Sequence, residues 1–214
     1  MIEARQRGIK EAGFPVIPAD RSWFDAHRLS ESVIHLPLHN DTHTGNVMVL
    51  NDIIAQKKGL SNRARHILLY GASGHDILRE TDDEDPGHGS RAADYIIEHG
   101  VRLGIPLEFI LGVAFLVRNH DIPINKVPDL SAGGWVLLTS FKEGDKYERV
   151  RVDDLDVSRL AHQSLVSAML PLALRLHHLT RVDLSWLDGR QLSPFEISIQ
   201  AAIRLDAVRA SHIL

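Results

Sequence analysis

Residues 61–79 read SNRARHILLYGASGHDILR. Within them Ala64, Ile67, Leu68 and Ala72 recur at spacings of three and four, the pattern of one buried helix face. Ser61 stands where such a helix needs its N-cap, a hydroxyl that accepts a bond from a free N–H of the first turn. The pattern predicts a helix over about 62–77 that carries His75-Asp76 near its end. Neighbouring helical side chains point about 100° apart. At a helix end, however, the backbone departs from that geometry, and a carboxylate there is free to bridge two ions.

Upstream, Val47, Leu50, Ile53 and Ile54 mark a helix over about 44–58, with Gly59 as its stop. Before it, residues 1–30 read as a helix, a proline-containing turn at 14–18 and a short helix around Trp23–Leu29. Downstream comes an acidic loop, TDDEDPG at 81–87, then helices over about 88–99 and 106–119. Two longer helices are expected over about 157–179 and 194–212. Residues 123–154 differ. Two β-prone runs, Trp135–Thr139 and Tyr147–Val152, flank Glu143-Gly144-Asp145, and this predicts a β-hairpin. The expected architecture is all-α: a single domain over 1–214, a helical bundle with a small β-hairpin insertion at 123–154.

Composition narrows the chemistry. The chain has 214 residues and a net charge of −4, which argues against a nucleic-acid polymer as partner. It has no cysteine, which removes disulfides, thiolate zinc sites and a cysteine nucleophile. It has 13 histidines against six Phe, three Tyr and three Trp. Imidazole with carboxylate suits Mn, Fe, Co, Ni or Zn. The first residues lack the apolar run of a signal peptide. The apolar stretches 104–117 and 165–176 are too short for a membrane span. A cytoplasmic protein is therefore expected, with no membrane partner. A homo-oligomer is compatible with the sequence.

Histidines and aspartates gather near the ends of the predicted helices. His39 and His43 lie four apart. His75-Asp76 ends one apolar helix, His88 follows the acidic loop, and His120-Asp121 ends the 106–119 helix. Asp206 lies on the last predicted helix. Helix ends that converge in a bundle can build a metal site from facing side chains. The remaining histidines, His66 and His177-His178 among them, read as structural. Asp82, Asp83, Glu84 and Asp85 read as a solvated loop.

The ordered set resembles the HD-domain metal-dependent phosphohydrolases, in particular small stand-alone members. The resemblance runs through His39-Asn40-Asp41-Thr42-His43, Gly74-His75-Asp76-Ile77-Leu78-Arg79, Asp85-Pro86-Gly87-His88-Gly89-Ser90 and His120, and covers about 35–121. Leu78 stands where many members carry glycine. The resemblance implies that His43, His75 and Asp76 bind a first metal, completed by a late aspartate. Asp206, the only carboxylate on the central turns of the last predicted helix, is assigned that place. It implies that His88 and His120 hold a second metal, with Asp76 bridging the two.

The implied activity is hydrolysis of a phosphate ester, a nucleotide or related small phosphorylated metabolite, by a metal-activated hydroxide. One or two divalent transition-metal ions would be the cofactor. Asp76 would be catalytic, and His39 either an outer residue of the site or a proton donor to the leaving oxygen. Arg79, Arg91 and Arg118 are the nearest cations for the anionic substrate. Two other readings stay open: a diiron oxygenase on the same ligands, and a non-catalytic metal- or nucleotide-binding domain.

Overall fold

The computed structural model describes residues 18–30, 36–181, 186–187 and 190–209. The helix expected at the start of the chain lies outside the described residues, as do His35 and His212. Among the described residues, Ala19–Asp20 (β1) leads into the short helix Arg21–Asp25 (α1). The bundle follows: Asp41–Lys57 (α2), Asn62–Gly74 (α3), His88–His99 (α4), Leu107–Asn119 (α5), Ala132–Glu148 (α6), Gln163–Arg181 (α7) and Pro194–Arg204 (α8). Short 3-10 turns at Ile124–Lys126, Arg149–Val152 and Val157–Arg159 join the later helices. The protein is all-α with minor strand content, as the apolar periodicity predicts.

α2 is the axis of the molecule. Val47, Met48, Val49, Leu50, Ile53 and Ile54 are all buried, because α3, α6, α7 and α8 pack around it. Asn40 caps it, accepting from the backbone N–H of Thr42 and His43. The cap fixes the entry of the helix, and with it the position of His43. A cap of this kind contributes about 1 kcal/mol. Ser61 caps α3 as expected, accepting from Ala64 N–H. α4 packs along α5, and α3 lies across α5. α8 opens with a capping box between Ser193 and Glu196 and has a proline in its first turn.

The hairpin predicted within 123–154 is not formed there. The segment holds one α-helix, α6, capped by Ser131 and flanked by two of the 3-10 turns. Gly144 is no turn residue. A Cβ on it would overlap the Asn51 side-chain amide, so glycine is what lets α6 close on α2. Leu138, Phe141, Asp145 and Glu148 then share one face at steps of three, four and three. A small antiparallel pair does occur elsewhere, between Trp186–Leu187 (β2) and Arg190–Gln191 (β3). β1 pairs in parallel with Val208–Arg209 (β4). The last helix is shorter than expected. It stops at Arg204, and Asp206 turns the chain with φ 56°, a left-handed conformation that aspartate tolerates better than most residues.

Candidate metal centre

Four helix ends and one helix interior meet in the bundle. His43 sits in the first turn of α2, His75 caps the C-terminus of α3, and His88 begins α4. His120 caps the C-terminus of α5, and Asp145 comes from within α6. Asp76 follows α3 into the centre of the group. All four histidines and Asp76 are buried. Asp145, 29% exposed on its side chain, is the most exposed of the six donors.

The approach of α4 to α5 depends on Gly89. A Cβ there would lie 2.7 Å from the Val117 carbonyl oxygen and 3.0 Å from His120 Nδ1. A larger residue would force apart the two helices that carry His88 and His120.

The donors form two groups, His43, His75 and Asp145 in one, and Asp76, His88 and His120 in the other. Asp76 reaches both. Its Oδ2 lies 3.2 Å from His75 Nε2 and 3.6 Å from His43 Nε2. Its Oδ1 lies 3.2 Å from His88 Nε2 and 3.8 Å from His120 Nε2. One carboxylate thus turns one oxygen toward each pair of imidazoles. Asp145 Oδ1 is 3.5 Å from His43 Nε2 and 3.8 Å from His75 Nε2.

Each Nδ1 meets an oxygen that only accepts. His75 Nδ1 is 2.9 Å from the Ala72 carbonyl, His88 Nδ1 2.7 Å from that of Asp85, and His120 Nδ1 2.7 Å from that of Val117. His43 Nδ1 is 2.9 Å from Glu148 Oε2. Every Nδ1 therefore carries the proton, and in a neutral ring every Nε2 is a bare lone pair. Yet Nε2 of His43 faces Nε2 of His75 at 3.1 Å, and Nε2 of His88 faces Nε2 of His120 at 2.8 Å. Two lone pairs so placed repel unless a cation satisfies both. Asp76 Oδ1, buried in the same place, has no hydrogen-bond partner. The donor set therefore fits a metal, with ring orientation fixed as metal-binding histidines require.

The surroundings favour positive charge. Burial opposes charge on His43, but Glu148 and Asp76 outweigh it and push its pKa up to about 9, so below that pH a proton on Nε2 competes with a metal ion for the same place. Burial likewise opposes ionisation of Asp76, Asp145 and Glu148. The imidazoles around the two aspartates, and His43 with Arg151 beside Glu148, hold all three below the usual carboxylate range. Several buried carboxylates kept ionised around facing imidazoles form a preorganised cation site.

The other expected residues divide. Arg79 is at the centre: Nη1 lies 3.2 Å from His88 Nε2 and 3.6 Å from Asp76 Oδ1. Its Nε and Nη2 donate to the carbonyls of Thr81 and Asp83, at 2.9 and 3.0 Å. Arg91 is held by the Asp85 carboxylate at 2.7 and 2.8 Å and contacts no donor. Arg118 pairs with Asp94 on the outer side of α4 and α5. Asp206 is exposed beyond α8 and joins neither donor group. The aspartate that completes the first group is Asp145, in the segment read as a turn. Its position one turn from Phe141 and from Glu148 was the available signal.

His39 lies beside the centre, its ring centroid 5.4 Å from that of His43. Nδ1 is 2.8 Å from Asp82 Oδ1, and Arg151 Nη2 is 3.2 Å from its Nε2. Asp82 also accepts from the backbone N–H of Leu38 and His39. It is a clamp on His39, not a free loop residue. Burial pulls the His39 pKa down to about 4.

Comparison of the chain with protein-family models, with curated proteins and with solved structures gives no match. No helix among the described residues is long and apolar enough to cross a membrane.

Proposed function

We propose that this chain is a metal-dependent phosphohydrolase of the HD type, acting on a small phosphate ester such as a nucleotide. The observation that carries the reading is the pair of facing Nε2 atoms on each side of Asp76, all four rings having their protons committed elsewhere. His43, His75, Asp145 and Asp76 Oδ2 would hold one divalent transition-metal ion. His88, His120 and Asp76 Oδ1 would hold a second. When bound, such ions lower the pKa of a coordinated water and polarise a phosphoryl oxygen.

The residues of the chain have separable tasks in this reading. Asp145 is the donor nearest solvent, so substrate would approach from the α6 side. Arg79 brings the cationic Nη1 edge nearest the donors, and a phosphoryl oxygen is its natural partner. Arg91 and Arg118 are engaged by carboxylates outside the centre and contribute to the surface. The Asp82 carboxylate and the Arg151 guanidinium hold the His39 ring. Since Arg151 only donates, His39 Nε2 is the accepting nitrogen and Nδ1 keeps its proton toward Asp82. His39 thus orders the wall of the site, and proton donation from Nε2 would require Arg151 to withdraw.

The test is metal analysis and phosphate release with a panel of nucleotides and sugar phosphates, on wild-type protein and Asp76→Ala. The expected result is metal-dependent release of inorganic phosphate, with metal and activity lost together in the variant and helical content retained. Full metal content and turnover in Asp76→Ala would overturn the assignment. Turnover that consumes oxygen and stops with redox-inert metals would replace the hydrolase by an oxygenase.

A further inference from the structure

The two donor groups are built differently. We propose that they load metal in order, the first group strengthened by Glu148 and the second weakened by Arg79. The inference rests on the metal reading above and goes beyond it.

In the first group, His43 is backed by a carboxylate. Glu148 is buried, accepts from His43 Nδ1 at 2.9 Å and from Asn46 Nδ2 at 3.2 Å, and is paired with Arg151. An ionised partner on Nδ1–H makes Nε2 a stronger donor than a neutral carbonyl does. Three neutral carbonyls back the other imidazoles. Asp121 Oδ2 approaches His88 Nδ1 only to 3.7 Å, beyond hydrogen-bond reach, while the Asp85 carbonyl takes that proton. The first group also has two carboxylates in range, Asp145 and Asp76. The second has Asp76 alone among its three donors.

The second group in addition faces fixed positive charge. Arg79 Nη1 points at the lone pair of His88 Nε2 and at Asp76 Oδ1, the same atoms a second ion would use. The guanidinium is held there by the carbonyls of Thr81 and Asp83. Lys142 Nζ donates to the carbonyls of His120 and Ile122 but faces Asp145 as well as Asp121, so its charge does not separate the two groups. Arg79 therefore fills part of the role of a second metal, and an incoming ion must displace or repel it.

The experiment is calorimetric titration of the chelator-treated full chain with zinc, on wild type, Glu148→Gln and Arg79→Gln, with circular dichroism as the check on folding. Two phases are expected, the first at least about tenfold tighter. Glu148→Gln weakens the first phase by about 10–100-fold, the usual effect of losing such a partner, and leaves the second. Arg79→Gln tightens the second and leaves the first. Two phases of equal affinity, or variants that move both phases alike or neither, overturn the inference while leaving the metal site standing. If Glu148→Gln does not fold, the Arg79→Gln titration decides, since a second phase that stays the same or weakens contradicts the proposal. A wild-type chain that takes up no zinc overturns the metal reading itself.

Discussion

Two regions of the molecule place imidazole nitrogens against each other at nearly the same distance, with different consequences. At the centre, His43 and His75 face at 3.1 Å, and His88 and His120 at 2.8 Å. Under the α1 turn, His27 Nε2 meets His66 Nδ1 at 2.7 Å. His27 Nδ1 gives its proton to the Trp23 carbonyl, so its Nε2 accepts. His66 Nδ1 is free to donate, and the pair is satisfied by one proton. Trp23, Tyr70 and Phe109 surround it with rings at 4.3 to 5.0 Å from the nearer imidazole. At the centre no arrangement of neutral rings supplies that proton. The distance between histidines therefore says little; the commitments of their other nitrogens separate a packed core pair from a cation site.

The comparison breaks first at Asp145. Asp145→Asn should weaken the first metal by more than about 100-fold, beyond the usual loss of an outer partner, as read by competition with a chromophoric chelator. The paired control Asp206→Asn should leave metal content unchanged. A reversed outcome would restore the last helix as the ligand source. A smaller effect is expected at Gly89. Gly89→Ala should cost about 1–3 kcal/mol, the range for overpacking a close contact, seen as a lowered melting temperature. It should also weaken the second metal more than the first, since His120 must shift.

The core pair gives a pH signature of its own. Burial pulls the His27 pKa down to about 4 from 6.5. The unfolded chain therefore takes up a proton that the folded chain refuses, and stability falls as pH drops from about 6.5 to about 4. His27→Gln should flatten that part of the stability profile at unchanged metal content, measured by urea unfolding across pH. An unaltered slope would show that His27 titrates freely. The smallest effect is that of Asp206→Asn on stability, expected within about 0.5 kcal/mol of wild type, as for exposed positions.

Much of this organisation was legible in the chain. Ser61, the 3–4 spacing of the apolar residues and the histidines near helix ends give α3, α4 and α5 close to their observed limits and bring His43, His75, Asp76, His88 and His120 together. What the chain concealed lies in α6. Val136, Leu137 and Thr139 favour strands locally, and Glu-Gly-Asp resembles a turn. Packing on α2 overrides both, because Gly144 is needed for close approach to Asn51 and Phe141 for the core. With α6 read as a hairpin, Asp145 became a turn residue and Glu148 had no visible purpose. The family resemblance implies a late aspartate on the last helix and so points to Asp206, which a left-handed turn places outside the bundle. Asp82 was hidden for a different reason: its acidic neighbours suggest solvent, and only the fold brings His39 to it.

The central claim is that the four committed imidazoles and Asp76 form a cation site. X-ray absorption at the zinc edge, on protein loaded with one equivalent of zinc, tests it most directly. The account predicts a shell of nitrogen and oxygen with the multiple scattering of imidazole, lost when His43, His75, His88 and His120 are all replaced by alanine. Zinc bound without imidazole scattering, or unchanged in that fourfold variant, would contradict it.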